Sequence, residues 1–589
     1  MATVSPSRPG GGRPRTGDNI AMPYTPAGRP RAVPRMPGRH LMMEQLVAAG
    51  VRYVFGNPGT TEQAFMDALN DYPQIQYVLA LHEGVAVGIA DGYSRISPVP
   101  PLVELHITPG LGNAMGMLYN AYWTRAPMVV YVGQHAQRGA QQEPILWGDV
   151  VAMARTVTKW AVEVQDAADL PMLVRRAFQV AMAPPPGPVL VSVPTNIMDE
   201  EAEAEVVPPS YARTRVRPER EAVARAAEWL AAAQAPVFVA GPGAAHASEE
   251  LARLAELVGA RVHIAFGSVD PFGAEHPLYA GPLNVISAAG LKAQLSAADV
   301  LLAVGTPVFK GLFPMPDSPF PPGCRVVQID LDAWELGKNW PVDLAVLADP
   351  ASALAELAEE VEARLTPEQR DAARKRREAV EALRQAMAEA MDASARPRWD
   401  ARPMPPARFA HELAQALHPD TLLYDESITV GGQLGRHVRL GPGQHFRAAG
   451  GGLGPGMPAP IGLKLACPER PVLAVVGDGS ALYTVQALWT AAHYRVPVTW
   501  VIANNASYRI LKLNLLEYLG EGAAGRAFVG MDLVGPEIDF VAIAKAFGVK
   551  GVRLEDPQDI VPAVRQAQQA QEPWLIDVAI DGSVRGGFL

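Results

Sequence analysis

Along the chain, short apolar runs rich in β-branched residues alternate with stretches of helical periodicity. After Arg39 the helix HLMMEQLVAAG leads to the strand VRYVFG, the helix TTEQAFMDALND, the strand IQYVLAL and the helix EGVAVGIADGYSR. Strands of the fully buried type follow at PLVELHI, PMVVYVG and GPVLVSV. Continuous apolar runs set between helical patterns predict parallel sheets with helical crossovers. The segment EVVPPSYARTRVRPER breaks the pattern with prolines and charge and reads as a linker. The alternation resumes through APVFVAGPG, ADVLLAVGTPVF and CRVVQIDLD, and again through TLLYDES, PVLAVVGDGS, PVTWVIANN and PWLIDVAI. The expected architecture is α/β: three consecutive doubly wound parallel-sheet domains over residues 39–205, 219–360 and 405–589, with the first and third alike. A charged linker helix is expected over 361–404, and residues 1–38, rich in Arg, Pro and Gly, are expected to be a disordered extension.

Composition narrows the class. Of 589 residues, 49% are hydrophobic and 19% charged, as in well-packed globular proteins. The formal net charge of -10 provides no broad electrostatic footprint for nucleic acid, and no apolar run is long enough to cross a bilayer. Cys324 and Cys467 stand alone, so neither a disulfide framework nor a cysteine metal site is expected. The expectation is a cytoplasmic protein without nucleic-acid or membrane partners.

The chemistry gathers in the third block. Strand PVLAVV runs directly into Gly477-Asp478-Gly479-Ser480, the helix ALYTVQALWTAAHY follows, and the next strand ends at Asn504-Asn505. Open α/β sheets bind ligands at the carboxyl ends of their strands, where a glycine turn lets backbone N–H groups face an anion. If the two strands are neighbours, a carboxylate and an amide oxygen meet beside a helix N-terminus. Hard oxygen ligands in that setting suit a Mg²⁺ held between protein and a diphosphate. The lysine of a Walker loop is missing, which argues against an ATPase.

Gly-Asp-Gly followed by helix, strand and Asn-Asn resembles the cofactor signature of thiamine-diphosphate-dependent enzymes of the 2-oxo-acid decarboxylase and acetolactate synthase type. The resemblance covers the chain from about residue 39 onward. It implies pyrimidine-binding, central and diphosphate-binding domains in that order, with thiamine diphosphate and Mg²⁺ as cofactors. It implies Asp478, Asn505 and the carbonyl of Ser507 as metal ligands, and Gly477, Gly479 and Ser480 as the diphosphate turn. Glu83, in LHEGVAVGIADGYSR, matches the glutamate that shares a proton with the pyrimidine. Leu453, in GGGLGPGMPAPIG, matches the bulky residue under the cofactor, and Glu426, in YDESIT, matches a position near its rings. The active sites are then expected between subunits of a homodimer or homotetramer.

Within that family the motifs FGNPGTTE, LHITPGLGNAMG and GDVVAMARTVTKW are most similar to the benzoylformate decarboxylase branch. The resemblance implies that Thr60 orients the carboxylate of a 2-oxo acid and that His106 assists protonation and aldehyde release. It offers His276, in AEHPLYAG, as a second catalytic histidine. The pocket positions Ile510 and Asn514 depart from the branch, which has a small residue and an aromatic there, while Leu511 stands where the branch has Leu. Overpacking by Ile510 against a phenyl ring costs roughly 1–3 kcal/mol, enough to favour smaller or aliphatic acids. The alternative reading is a carboligase like acetolactate synthase. That group usually carries HEQ and an FAD-binding central domain, whereas this chain has HEG and only AGPGAA, so FAD is not expected. A non-catalytic relative would lack one of Glu83, Asp478 and Asn505, and a nicotinamide dehydrogenase would need a full GxGxxG.

Overall fold

The computed structural model describes residues 29–584, apart from 266, 268, 286, 312, 313 and 521–525. Three six-stranded sheets, every strand pairing parallel, follow one another along the chain. In the first sheet the strands are Tyr53–Asn57, Gln76–Leu79, Leu102–Leu105, Met128–Gln134, Trp160–Glu163 and Pro188–Pro194. Numbered in chain order, they lie 2-1-3-4-6-5 across the sheet. The third sheet, from Leu422–Glu426 through His445–Arg447, Val472–Gly477, Val498–Asn504 and Lys550–Leu554 to Trp574–Ala579, has the same order. The central sheet runs 3-2-1-4-5-6, the order of dinucleotide-binding sheets. Its crevice between the first and fourth strands is closed by backbone: Gly241 N–H donates to the Val304 carbonyl at 2.9 Å, and Gly243 N–H to Gly305 at 3.0 Å.

Two boundaries differ from expectation. Residues Arg31–Pro37 form a strand paired antiparallel with Glu201–Val206, within the stretch expected to be an extension. Alternation in EAEAEV puts small apolar side chains on one face of this ribbon, where Val33, Leu41 and Val206 pack together. Residues 1–28 lie outside the described residues. Helix Pro350–Arg364 packs into the central domain's core through Leu354, Leu357 and Val361, so that domain runs to Arg364, and the long helix Pro367–Ala395, opened by a Thr366–Gln369 capping box, bridges to the third domain.

The largest apolar core is shared between the first and third domains. It joins Val87, Leu111 and Leu118 to Met457, Ile461 and the fully buried Trp500. Helix Glu83–Ser94 lies against helix Ala459–Ala466 at backbone distance: a Cβ on Gly92 would stand 1.9 Å from the Ala459 carbonyl oxygen, and one on Gly462 1.9 Å from that of Ile89. Beside this contact, Asp91 and Arg95 form an ion pair whose side chains are 3% and 5% exposed. Thr124 donates to Asp91 at 2.7 Å, and Arg95 donates to the Arg447 carbonyl at 3.0 Å, fastening the joint between domains.

Candidate active site

In the first sheet, the parallel register places Asn57 opposite Leu105, so the turns following these strands lie side by side. One turn carries Thr60, Thr61 and Glu62; the other carries His106. His106 Nδ1 lies 2.9 Å from Glu62 Oε2, although the two are 44 residues apart in sequence. Glu62 is fully buried and also accepts from the Gly59 N–H at 3.0 Å and the Thr61 hydroxyl at 2.6 Å. A carboxylate receiving these bonds fixes the hydrogen on Nδ1 and leaves Nε2 as the exchangeable nitrogen. The ring rests so closely over Gly59 that a Cβ there would come within 2.0 Å of Nδ1. Ile107, just after the histidine, has φ 35°, a strained value for a β-branched residue that turns the chain from strand to helix.

Glu83 opens its helix, 7% exposed, after His82 caps it by accepting from Gly84 N–H at 3.0 Å. Asn113 donates to Glu83 Oε2 at 3.0 Å, and Oε1 faces Gly110. Two residues before His106, Glu104 is buried with Tyr77 donating to its Oε2 at 2.6 Å and its Oε1 unpartnered. Burial pushes Glu104 up to about 8, reinforced by the nearby Glu62 and Glu83.

In the third sheet Gly477 pairs with Ala503, which sets Asp478 beside Asn504-Asn505. Asn504 turns inward and donates to Asp577 at 3.0 Å. Asn505 does not: its Oδ1 is buried with no hydrogen-bond partner. Asp478, 3% exposed, accepts from the Ser507 N–H at 3.1 Å. Burial pushes its carboxyl up to about 6, while the N–H groups of Gly479, Ser507 and Ala506 pull it down. Ala506 takes φ 52° between Asn505 and Ser507. A carboxylate and an orphaned amide oxygen at adjoining strand ends fit a hard cation such as Mg²⁺, which would replace the missing partner of Asn505. The expected single helix after the turn is instead two, Asp478–Ala481 and Ala487–Tyr494. Thr484 breaks the run by donating its hydroxyl to the Gly454 carbonyl, so only one helical turn backs Asp478.

Leu453 is half-buried in a loop held at both ends. Asn120 exchanges two hydrogen bonds with the backbone of Gly452, at 2.9 and 3.0 Å. Glu426 accepts from the N–H groups of Gly454 at 2.7 Å and Gly456 at 2.5 Å. Glu426 thus anchors this loop with both carboxyl oxygens, and burial pushes it up to about 7. Ser480, 4% exposed, hydrogen-bonds Glu426 as well.

Thr60 is exposed on its turn, while its neighbour Thr61 approaches His106 at 3.4 Å. Ile510 and Asn514 share one face of helix Arg509–Leu519, and Asn514 Oδ1 is buried without a partner; Leu511 is 45% exposed. His276, offered as a second catalytic histidine, stands in the central domain: its Nδ1 accepts from Leu278 N–H at 3.1 Å, its Nε2 faces Glu256 at 3.3 Å, and its ring packs on Phe272. Glu62 and Asn113 were missed from the sequence; the signal was FGNPGTTE and LHITPGLGN ending adjacent strands.

The family models described as thiamine pyrophosphate enzyme, N-terminal TPP binding domain, central domain, and C-terminal TPP binding domain match residues 36–153, 223–357 and 430–578. Benzoylformate decarboxylase of Pseudomonas aeruginosa is 33% identical over 550 residues, 90% of this chain and 96% of that protein. An acetolactate synthase large subunit of Parasynechococcus marenigrum is 29% identical, over 92% of this chain and 87% of that protein. A solved thiamine diphosphate-dependent 4-hydroxybenzoylformate decarboxylase of Rhodococcus jostii superposes with a TM-score of 0.80 at 30% identity, covering 93% of this chain and 99% of that one.

Proposed function

The chain belongs to the thiamine pyrophosphate enzymes, and from that premise we propose that it decarboxylates a 2-oxo acid, without oxidation, to an aldehyde and CO₂. The observation that carries the reading is the buried, unpartnered Oδ1 of Asn505 at the strand end beside Asp478. Asp478, Asn505 and the Ser507 carbonyl hold Mg²⁺, and Gly477, Gly479 and Ser480 line the diphosphate. Bound thiamine diphosphate supplies the carbanion centre and the electron sink for the departing carboxyl group. With the cofactor bound, Glu83, whose Oε2 accepts from Asn113, would be the group that shares a proton with the pyrimidine. His106, oriented by Glu62, moves a proton at Nε2 as the aldehyde leaves. The Thr60 hydroxyl orients the substrate carboxylate, and Leu453 supports the cofactor rings.

Ile510 and Asn514 line the substrate pocket with Leu511 at its rim, and Ile510 favours small or aliphatic acids over an arylglyoxylate. Tyr119, Tyr122 and Trp123 stand more than 40% exposed on the helix that begins after His106. Aromatics exposed together support burial by a second copy, in a homodimer or homotetramer with sites between subunits and a cytoplasmic setting. The closed crevice of the central sheet supports a domain without FAD. The acetolactate synthase relative supports a second reading, ligation of the bound fragment to another carbonyl compound.

The test is product formation by purified protein with thiamine diphosphate and Mg²⁺ on pyruvate, branched-chain 2-oxo acids and benzoylformate. Aldehyde from the aliphatic acids is expected. Acyloin as the main product would establish the ligase reading, and no turnover of any 2-oxo acid would overturn both.

A further inference from the structure

Away from the strand ends, three helices bring together two imidazoles and a carboxylate where the long bridging helix meets the third domain. Asp392 lies in the last turn of Pro367–Ala395, His411 in helix Pro406–Ala416, and His437 closes helix Gly431–His437. One ligand-type atom from each lies within 4.8 Å of the other two. Asp392 Oδ1 is 3.3 Å from His437 Nε2, and Oδ2 is 3.7 Å from His411 Nδ1. The His437 side chain is 9% exposed, yet neither its Nε2 nor Asp392 Oδ1 has a hydrogen-bond partner. Two buried polar atoms that face each other without bonding are costly, roughly 1–3 kcal/mol for each group. Atoms aimed at a common point have that arrangement: two ligands at about 2.0–2.1 Å from a tetrahedral ion stand about 3.3–3.4 Å apart.

We propose that Asp392, His411 and His437 bind a divalent transition-metal ion, Zn²⁺ foremost, that fastens the bridging helix to the third domain. Two imidazole nitrogens and one carboxylate oxygen are a donor set for Zn²⁺, Co²⁺ or Ni²⁺ rather than for Mg²⁺ or Ca²⁺. Gln433, one turn before His437 on the same helix face, has a buried, unpartnered Oε1. The His411 side chain is 37% exposed, with Trp399 edge-on at 5.4 Å, which leaves an entry path.

The test uses the full-length protein, stripped with chelator and then saturated with thiamine diphosphate and Mg²⁺ so that the strand-end site is filled. Titration with Co²⁺ is expected to give one saturable visible band per chain, with the intensity of a four-coordinate ion and displaced by Zn²⁺. Zn²⁺ should raise the Tm. Asp392→Asn and the half-exposed His411→Gln should each weaken Co²⁺ binding by at least about 100-fold, more than loss of a mere supporting hydrogen bond. Turnover and thiamine diphosphate affinity should stay at wild-type levels in both variants. Absence of a saturable cobalt band, or a band that persists in both variants, overturns the proposal. A Tm loss in the variants that is the same with and without Zn²⁺ would make the cluster an ordinary ion pair, and overturns it too.

Discussion

The first and third domains share the strand order 2-1-3-4-6-5 but arm equivalent positions with opposite chemistry. After the third strand, the first domain has His106 and the third has Asp478. After the second strand, the first has Glu83 and the third has the loop of Leu453. At the first strand's end, Glu62 orients a histidine in one domain, while Glu426 pins a glycine loop in the other. One scaffold places side chains at the same edge twice; under the proposed function their identities divide the labour, proton transfer in one domain and ion and diphosphate binding in the other. The central sheet has a different strand order, 3-2-1-4-5-6.

The largest effect should come from disabling the proton-transferring half alone. Glu83→Gln is expected to lower kcat by about 10²- to 10⁴-fold, the range for a general acid–base group, while thiamine diphosphate still binds. Disabling the other half should do the reverse. Asn505→Ala should weaken Mg²⁺-dependent cofactor binding by about 10- to 100-fold, the equivalent of one charged contact of roughly 1.5–3 kcal/mol. Much of kcat should return at saturating cofactor, which steady-state titration checks.

Separating the halves is a stability experiment. Asp91→Ala leaves Arg95 buried without its carboxylate and should cost roughly 3–5 kcal/mol in denaturant unfolding. A smaller effect belongs to Glu104. Its folded pKa of about 8 lies above the unfolded value, so the native state holds the extra proton and wild-type stability falls as pH rises from about 4.5 to about 8. Glu104→Gln should flatten that slope in unfolding measured across the window, by on the order of 5 kcal/mol at most. The smallest change is Ile510→Ala, which should shift kcat/KM toward benzoylformate by about tenfold against pyruvate.

Much of this division was legible in the sequence because the key residues follow long apolar strands: Glu83, His106, Asp478 and Asn505 all stand at such ends. The edge strands Trp160–Glu163, Tyr279–Pro282, Leu344–Leu347, His445–Arg447 and Lys550–Leu554 were not, since half-exposed edges dilute the apolar run with charge. Glu62 escaped notice because an acid after a turn reads as a helix start; only pairing of Asn57 with Leu105 brings it to His106. His276 was read from its loop as a second catalytic histidine; only the fold shows its two nitrogens facing Leu278 and Glu256. Glu426 was read as lying near the cofactor rings; its two backbone partners come from a loop about 30 residues on and become visible only in the folded chain.

The central claim is that the third domain grips thiamine diphosphate through a metal ion held by Asp478 and Asn505. Calorimetric titration of thiamine diphosphate into the chelator-treated protein, with and without Mg²⁺, tests it most directly. The account predicts one cofactor per chain, bound only when Mg²⁺ is present and much more weakly in Asn505→Ala. Binding of equal strength without Mg²⁺, unchanged by that substitution, would contradict it.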